Sequence, residues 1–134
     1  EMCKETGGDG WDGLEGYATN DQLKDTYFCA NYAKGSNPDF ENAYKEKYGE
    51  DYPNGFSPLG YDAAVTLCYG IQAAEEAGLE AGTDEYKQAV IDGIKNGTIE
   101  GITGTFTFDE HNNPVKSTAI LTYVDGAPVL KEMF

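Results

Sequence analysis

The spacing of apolar residues divides the chain into helices in its middle and strands toward its end. In "DFENAYKEKYG" (residues 39–49), Phe40, Tyr44 and Tyr48 recur four residues apart, one stripe of a helix that Gly49 stops. From Tyr61 to Ala77, Val65, Leu67, Cys68 and Ile71 stand among alanines. That predicts a helix apolar over more than half its circumference, packed against a sheet or between layers. Thr83 is an expected N-cap, and Asp84 and Glu85 suit the positive end of a third helix. Its buried stripe is Tyr86, Val90 and Ile94, and Asn96-Gly97 ends it. The period then falls to two. "TGTFTFD" sets Phe106 and Phe108 on one face, "EHNNP" turns, "STAILTYV" forms a second strand, and Asp125-Gly126 turns tightly into "APVLKEMF".

Ahead of the helices, "TYFCANY" (26–32) has strand composition, and "KGSNP" (34–38) reads as a loop. "EDYPNGFSPLG" (50–60) reads as a second loop in which Pro53 and Pro58 block helix. Leu14 to Tyr17 is too short to assign. Strand zones bracketing three helices predict an α/β fold ending in a small antiparallel β meander.

Composition narrows the partners. The 134 residues are about one domain, with the apolar (40%) and charged (25%) content of a folded protein. A net charge of −15 repels phosphate backbones, so no nucleic-acid partner is expected. No run approaches the roughly 18 apolar residues of a membrane span. No secretory signal is present, which predicts a mature chain, a cytosolic one or a cut piece. Cys3, Cys29 and Cys68 are odd in number and fit no zinc spacing. At most one intrachain disulfide is open to them, and Cys68, in an apolar helical run, is expected as a buried free thiol.

Most chemistry is excluded in turn. His111 is the only histidine and sits in a turn without an orienting partner, which argues against nucleophilic catalysis. No phosphate-binding glycine loop occurs. "GDGWDG" offers oxygen ligands but lacks the alternation and terminal glutamate of a calcium loop. Carboxylate pairs are unavoidable among 24 acidic residues, so they carry no glycosidase signal. Asn96-Gly97-Thr98 is a formal glycosylation sequon that reads better as a helix end. No cofactor and no metal are expected, and no enzymatic activity.

What stands out is "GGDGWDG" (7–13), four glycines and two aspartates around the only tryptophan. Trp11 has no apolar stripe to join. A loop holding an aromatic wall and the carboxylate of Asp9 is suited to a ligand bearing an ammonium group.

The order of "GGDGWDG", "TYFCANY", "PDFENAYKEKYGEDYPNGFSPLGYDAAVTLCYGIQAAEEAG" and "GITGTFTFDEHNNPVKSTAILTYVDGAPVL" resembles the C-terminal portion of branched-chain amino-acid substrate-binding proteins of bacterial ABC transporters. The resemblance runs from Gly7 through nearly the whole chain. It implies part of a two-lobed periplasmic-binding-protein type I fold with Rossmann-like lobes that close on a ligand. Residues 1–27 and 104–134 would belong to the C-terminal lobe and 28–103 to the N-terminal lobe. It further implies that Asp9 binds the α-ammonium of an amino-acid-like ligand, with Gly10 and Trp11 beside it. Phe56, Pro58 and Tyr61 are the candidates on the other side of the cleft. The implied setting is an extracellular or periplasmic lipoprotein of a bacterium, serving an ABC permease. A ligand-sensing domain of the same fold in a signalling receptor is the alternative, and an acidic glycoside-acting hydrolase a more distant one.

Three departures accompany the resemblance. Family members are well over twice this length. The apolar strand that delivers the glycine loop is replaced by the polar "EMCKET". Cys29 and Cys68 do not belong to the family pattern. A C-terminal fragment, or a truncated or rearranged chain, is therefore expected, whose open sheet edges would pair or swap with a second copy.

Overall fold

The computed structural model describes residues 5–134. Cys3 and the start of "EMCKET" lie outside them. The chain divides into two compact units, residues 1–59 with 117–134, and residues 60–116.

The first unit is built on a four-stranded sheet. Strands β1 (Thr6–Gly7), β2 (Tyr27–Ala30), β6 (Ala119–Val124) and β7 (Ala127–Met133) lie in the order β1-β2-β6-β7. β1 runs parallel to β2, while β2–β6 and β6–β7 are antiparallel. Alternation puts Phe28 and Ala30 of β2 and Ala119, Leu121 and Tyr123 of β6 into one core with Leu23 and Ala33. Two helices complete the unit, α1 (Asn20–Leu23) and α2 (Pro38–Tyr48). Nothing in the apolar pattern signals α1. It is held by a capping pair, the Thr19 N–H donating to Gln22 Oε1 at 2.9 Å.

α2 has the expected limits. Asn37 Oδ1 accepts the Phe40 N–H at 3.0 Å, Pro38 opens the helix, and Gly49 closes it at φ 77°, where other residues are strained. Its stripe meets Tyr32 and Tyr52 in an aromatic cluster, Tyr32 lying 6.3 Å from Phe40 and 5.6 Å from Tyr52 between ring centres. Tyr48 departs from the expectation. It is 57% exposed, touching the cluster only through Tyr44, because it stands at the last position of the helix.

Helix α3 spans Phe56–Glu76, five residues earlier than the apolar run suggests. Pro58 does not block it. At the third helical position a missing N–H costs nothing, since first-turn N–H groups have no carbonyl partner in the helix. Beyond its first turn α3 belongs to the second unit, with α4 (Asp84–Asn96) and a three-stranded antiparallel sheet of β3 (Ile99–Gly101), β4 (Gly104–Phe108) and β5 (Pro114–Val115). The Thr83 hydroxyl caps α4 by accepting the Tyr86 N–H at 3.2 Å. Asp62, Gly70 and Ala74 form the buried side of α3. Much of the remaining circumference is open: Leu67, Tyr69 and Ile71 are exposed. Cys68 is free but exposed, not buried, because it lies off the stripe that meets the rest of the unit, and Cys29 is a second exposed free thiol. The C-terminal antiparallel strands sort into two sheets, β4 with β3 and β5, and β6 with β7. Asp125 and Gly126, both with positive φ, make the two-residue turn between the last pair.

Candidate ligand-binding site

The glycine-rich loop continues from β1 as a single 3-10 turn, Asp9–Trp11, closed by the Trp11 N–H donating to the Gly8 carbonyl at 3.1 Å. Trp11 is turned inward. Its side chain packs on the core of the first unit, and a Cβ on Gly7 would overlap its ring. The expectation that Trp11 lacks apolar company is therefore corrected: the company is tertiary, supplied by β2 and β6. Trp11 anchors the loop rather than walling the cavity. The Trp11 carbonyl is further tied to the Tyr123 hydroxyl at 2.8 Å.

Facing away from that anchor is a cavity of about 110 Å³ within the first unit. Asp9, Gly10 and Asp12 line it from the loop, Ala30, Asn31 and Tyr32 from the end of β2, and Asn54, Gly55, Phe56 and Leu59 from the start of α3. The lining includes Asp9, Gly10 and Phe56 of the sequence candidates. Pro58 is fully buried and Tyr61 lies in the second unit, 51% exposed; neither lines this cavity.

Several polar groups around the cavity are already engaged with one another. Asp12 Oδ2 accepts the Gly55 N–H at 2.8 Å. Asn54 Oδ1 takes the Phe56 N–H at 3.1 Å, and the Asn54 carbonyl takes that of Ser57 at 3.2 Å. Pro58 has no N–H. The positive end of α3 thus presents no free donor to an anion. The Tyr32 hydroxyl donates to Glu41 Oε1 at 2.7 Å and accepts the Asn37 N–H at 3.1 Å, and burial, reinforced by Glu41, pushes its pKa up. The phenol is neutral at any physiological pH. The carboxylate of Asp9, by contrast, has no hydrogen-bond partner among the described residues. No group of side chains suited to a metal ion occurs among them either.

Sequence reasoning missed Asp12, Asn31, Tyr32, Asn54 and Gly55 as cavity residues. Two signals point to them. Asn-Gly immediately before an apolar run is a helix-start pattern, and residues just past a strand's carboxyl end commonly border a ligand crevice in α/β folds.

The family model for periplasmic binding proteins matches residues 4–128. The chain belongs to that family. Among solved structures it is similar to a leucine binding protein, LivK, from Thermotoga maritima, at 25% identity and TM-score 0.70, covering 96% of this chain and 36% of that one. It is similar too to the branched-chain amino acid transporter substrate binding protein LivJ from Streptococcus pneumoniae in complex with isoleucine, at 26% identity and TM-score 0.64, covering 96% and 35%. A solute binding protein from R. palustris in complex with benzoate shares the fold at 20% identity and TM-score 0.68, again covering 96% and 35%. A comparison with curated proteins gave no match. This periplasmic binding protein chain thus spans about a third of the length of these structures.

Proposed function

We propose that this chain is the part of an extracellular solute-binding protein that holds the amine of an amino acid or similar small polar solute, which the whole protein delivers to an ABC permease. The observation that carries the reading is the unspent carboxylate of Asp9 at a cavity whose other acid, helix end and phenol are already satisfied. Such a site offers an ammonium group an unengaged carboxylate, and a charge-assisted hydrogen bond contributes about 1.5–3 kcal/mol once water is excluded. Gly10 permits close backbone approach, Phe56 and Leu59 supply apolar surface, and Trp11 fixes the loop. At about 110 Å³ the cavity is well below the 300 Å³ or more of ordinary ligand pockets. It suits an ammonium end and the first carbons beyond it, with the remainder held by groups outside this chain. Lobe membership in the whole family fold is separate from compactness within this chain. The proposal keeps residues 1–27 and 104–134 in one lobe and 28–103 in the other, and keeps Pro58 and Tyr61 as candidate ligand residues of the whole protein.

The reading is a binding one, without catalysis. Its test is a titration followed through the backbone amide resonances of Gly8, Gly10 and Asp12. Amino acids and simple alkylammonium ions are expected to move them at millimolar concentration, and carboxylic acids without an amine are not. Asp9→Asn is expected to weaken binding by tenfold or more while leaving the fold intact. Equal binding by the Asn variant would remove Asp9 from the site.

A further inference from the structure

Behind the Asp9 cavity lies a second, larger space in the same unit, a groove of about 600 Å³. It runs past Tyr52 and Pro53 to Pro128, Val129 and Leu130 of the edge strand β7. The two spaces share four lining residues: Asp12, Tyr32, Asn54 and Gly55. Two of these four are joined to each other, Asp12 Oδ2 to the Gly55 N–H at 2.8 Å, across 43 positions of sequence. The contact is close, since a Cβ placed on Gly55 would stand 3.2 Å from the same oxygen. A third, Tyr32, is fixed by its hydroxyl bonds to Glu41 and Asn37. Of the residues shared by cavity and groove, Tyr32 is thus held through its hydroxyl, and Asp12 and Gly55 are joined to each other by a single hydrogen bond.

We propose that Asp12 is a specificity-determining positioning residue: by holding Gly55 it closes the rear of the Asp9 cavity and limits the length of the ligand's side chain. This rests on the reading that Asp9 receives the ligand's amine. Asp12 differs from Asp9 in that one of its carboxylate oxygens is committed to the Gly55 N–H. With the bond removed, the cavity opens toward the groove, whose floor of Leu121, Pro128 and Leu130 accepts apolar carbons. Each methylene buried there is worth about 0.8 kcal/mol, a factor of about four in affinity.

The test compares the wild-type chain with Asp12→Ala and Asp12→Asn, using glycine, alanine, norvaline and norleucine as probes and amide shifts of Gly10 as the readout. Asparagine keeps an oxygen that can accept the Gly55 N–H, so it serves as the conservative rescue. In Asp12→Ala the Gly55 amide is expected to exchange with solvent at least tenfold faster. The norleucine-to-alanine affinity ratio is expected to rise at least fourfold. Asp12→Asn is expected to keep both close to wild type. An unchanged ratio in Asp12→Ala, with the amide exposed, overturns the proposal. A failure of every probe to bind the wild type sinks the amine reading instead. The wall is then judged without ligand, from a soluble paramagnetic agent acting on the Ala30 and Asn31 amides. Broadening that grows in Asp12→Ala supports the closure, and identical broadening in both proteins overturns it.

Discussion

The Tyr123 hydroxyl accepts the Leu14 N–H at 3.1 Å and lies 2.8 Å from the Trp11 carbonyl and 3.0 Å from a Glu15 carboxylate oxygen. One phenol on β6 thereby holds both ends of the segment that follows Asp9. Tyr123→Phe keeps the ring stacked on Phe28, whose centre is 5.4 Å away, but strands a backbone donor and an acceptor. The expected loss is about 1–3 kcal/mol, read as a lower urea midpoint at unchanged slope. The same phenol predicts a pH limit. Burial, with help from the Glu15 hydrogen bond, pushes its pKa up to about 12. A folded value above the unfolded value of about 10 favours the protonated phenol in the native state. Its contribution is complete below pH 10 and is lost as the pH climbs toward 12. Base titration of Tyr123→Phe is expected to lack that component of the alkaline loss; wild type and variant losing stability in parallel would show that the hydroxyl is not its source.

Among the elements, Asp62 does in the second unit what Tyr123 does in the first. It is 3% exposed on α3, and its carboxylate accepts the Ile102 N–H at 2.7 Å, the Thr103 N–H at 3.0 Å and the Thr103 hydroxyl. Lys116 donates to that hydroxyl in turn, at a lysine whose pKa burial lowers against the pull of Asp62. The turn between β3 and β4 is thus bound to a helix by a single side chain. Asp62→Asn replaces one acceptor oxygen with a donor that faces donors, and is expected to cost about 2–3 kcal/mol. Amide exchange across β3 and β4 should accelerate while the β2–β6 ladder keeps its protection; equal acceleration in both sheets would place the role of Asp62 elsewhere. Neither clasp is legible in the sequence, because partners 40 or 109 positions apart meet only in the folded chain. What is legible is local. Asn37, Pro38 and Gly49 bound α2, Thr83 caps α4, and Asp125-Gly126 turns the last hairpin, each acting on neighbours within a few residues. Asp9 is visible for the same reason, as an acid in a loop of glycines. The start of α3 is misread because Pro58 is a breaker inside a helix but harmless in a first turn. The exposure of Leu67, Cys68 and Ile71 escapes too, since periodicity shows that a helix is apolar on several sides but not which side is covered.

Across the whole molecule, charge acts in two opposed ways. The chain carries 24 acidic against 9 basic residues, a net charge of −15. The lysine pairs cannot offset that: Lys34 and Lys45 share Asp51, at 3.1 and 3.0 Å, and Lys87 meets Asp84 at 2.9 Å, all on the surface where such pairs contribute little. Self-repulsion therefore dominates, and added salt screens it within a Debye length of about 10 Å at 0.1 M. The melting temperature is expected to rise by about 4 °C between 10 mM and 300 mM sodium chloride, the shift that roughly 1 kcal/mol produces in a domain of this size. Ligand capture should respond with the opposite sign. If Asp9 receives an amine as proposed, the same acidic surface draws an ammonium ion toward it and salt weakens that attraction, so alkylammonium affinity should fall over the range in which stability rises. Sodium sulfate matched for ionic strength should reproduce both trends if charge screening is their cause. A melting temperature that falls with salt would mean that the Asp51 and Asp84 pairs outweigh the repulsion. An affinity indifferent to salt would mean that the amine is held by the short-range bond to Asp9 alone.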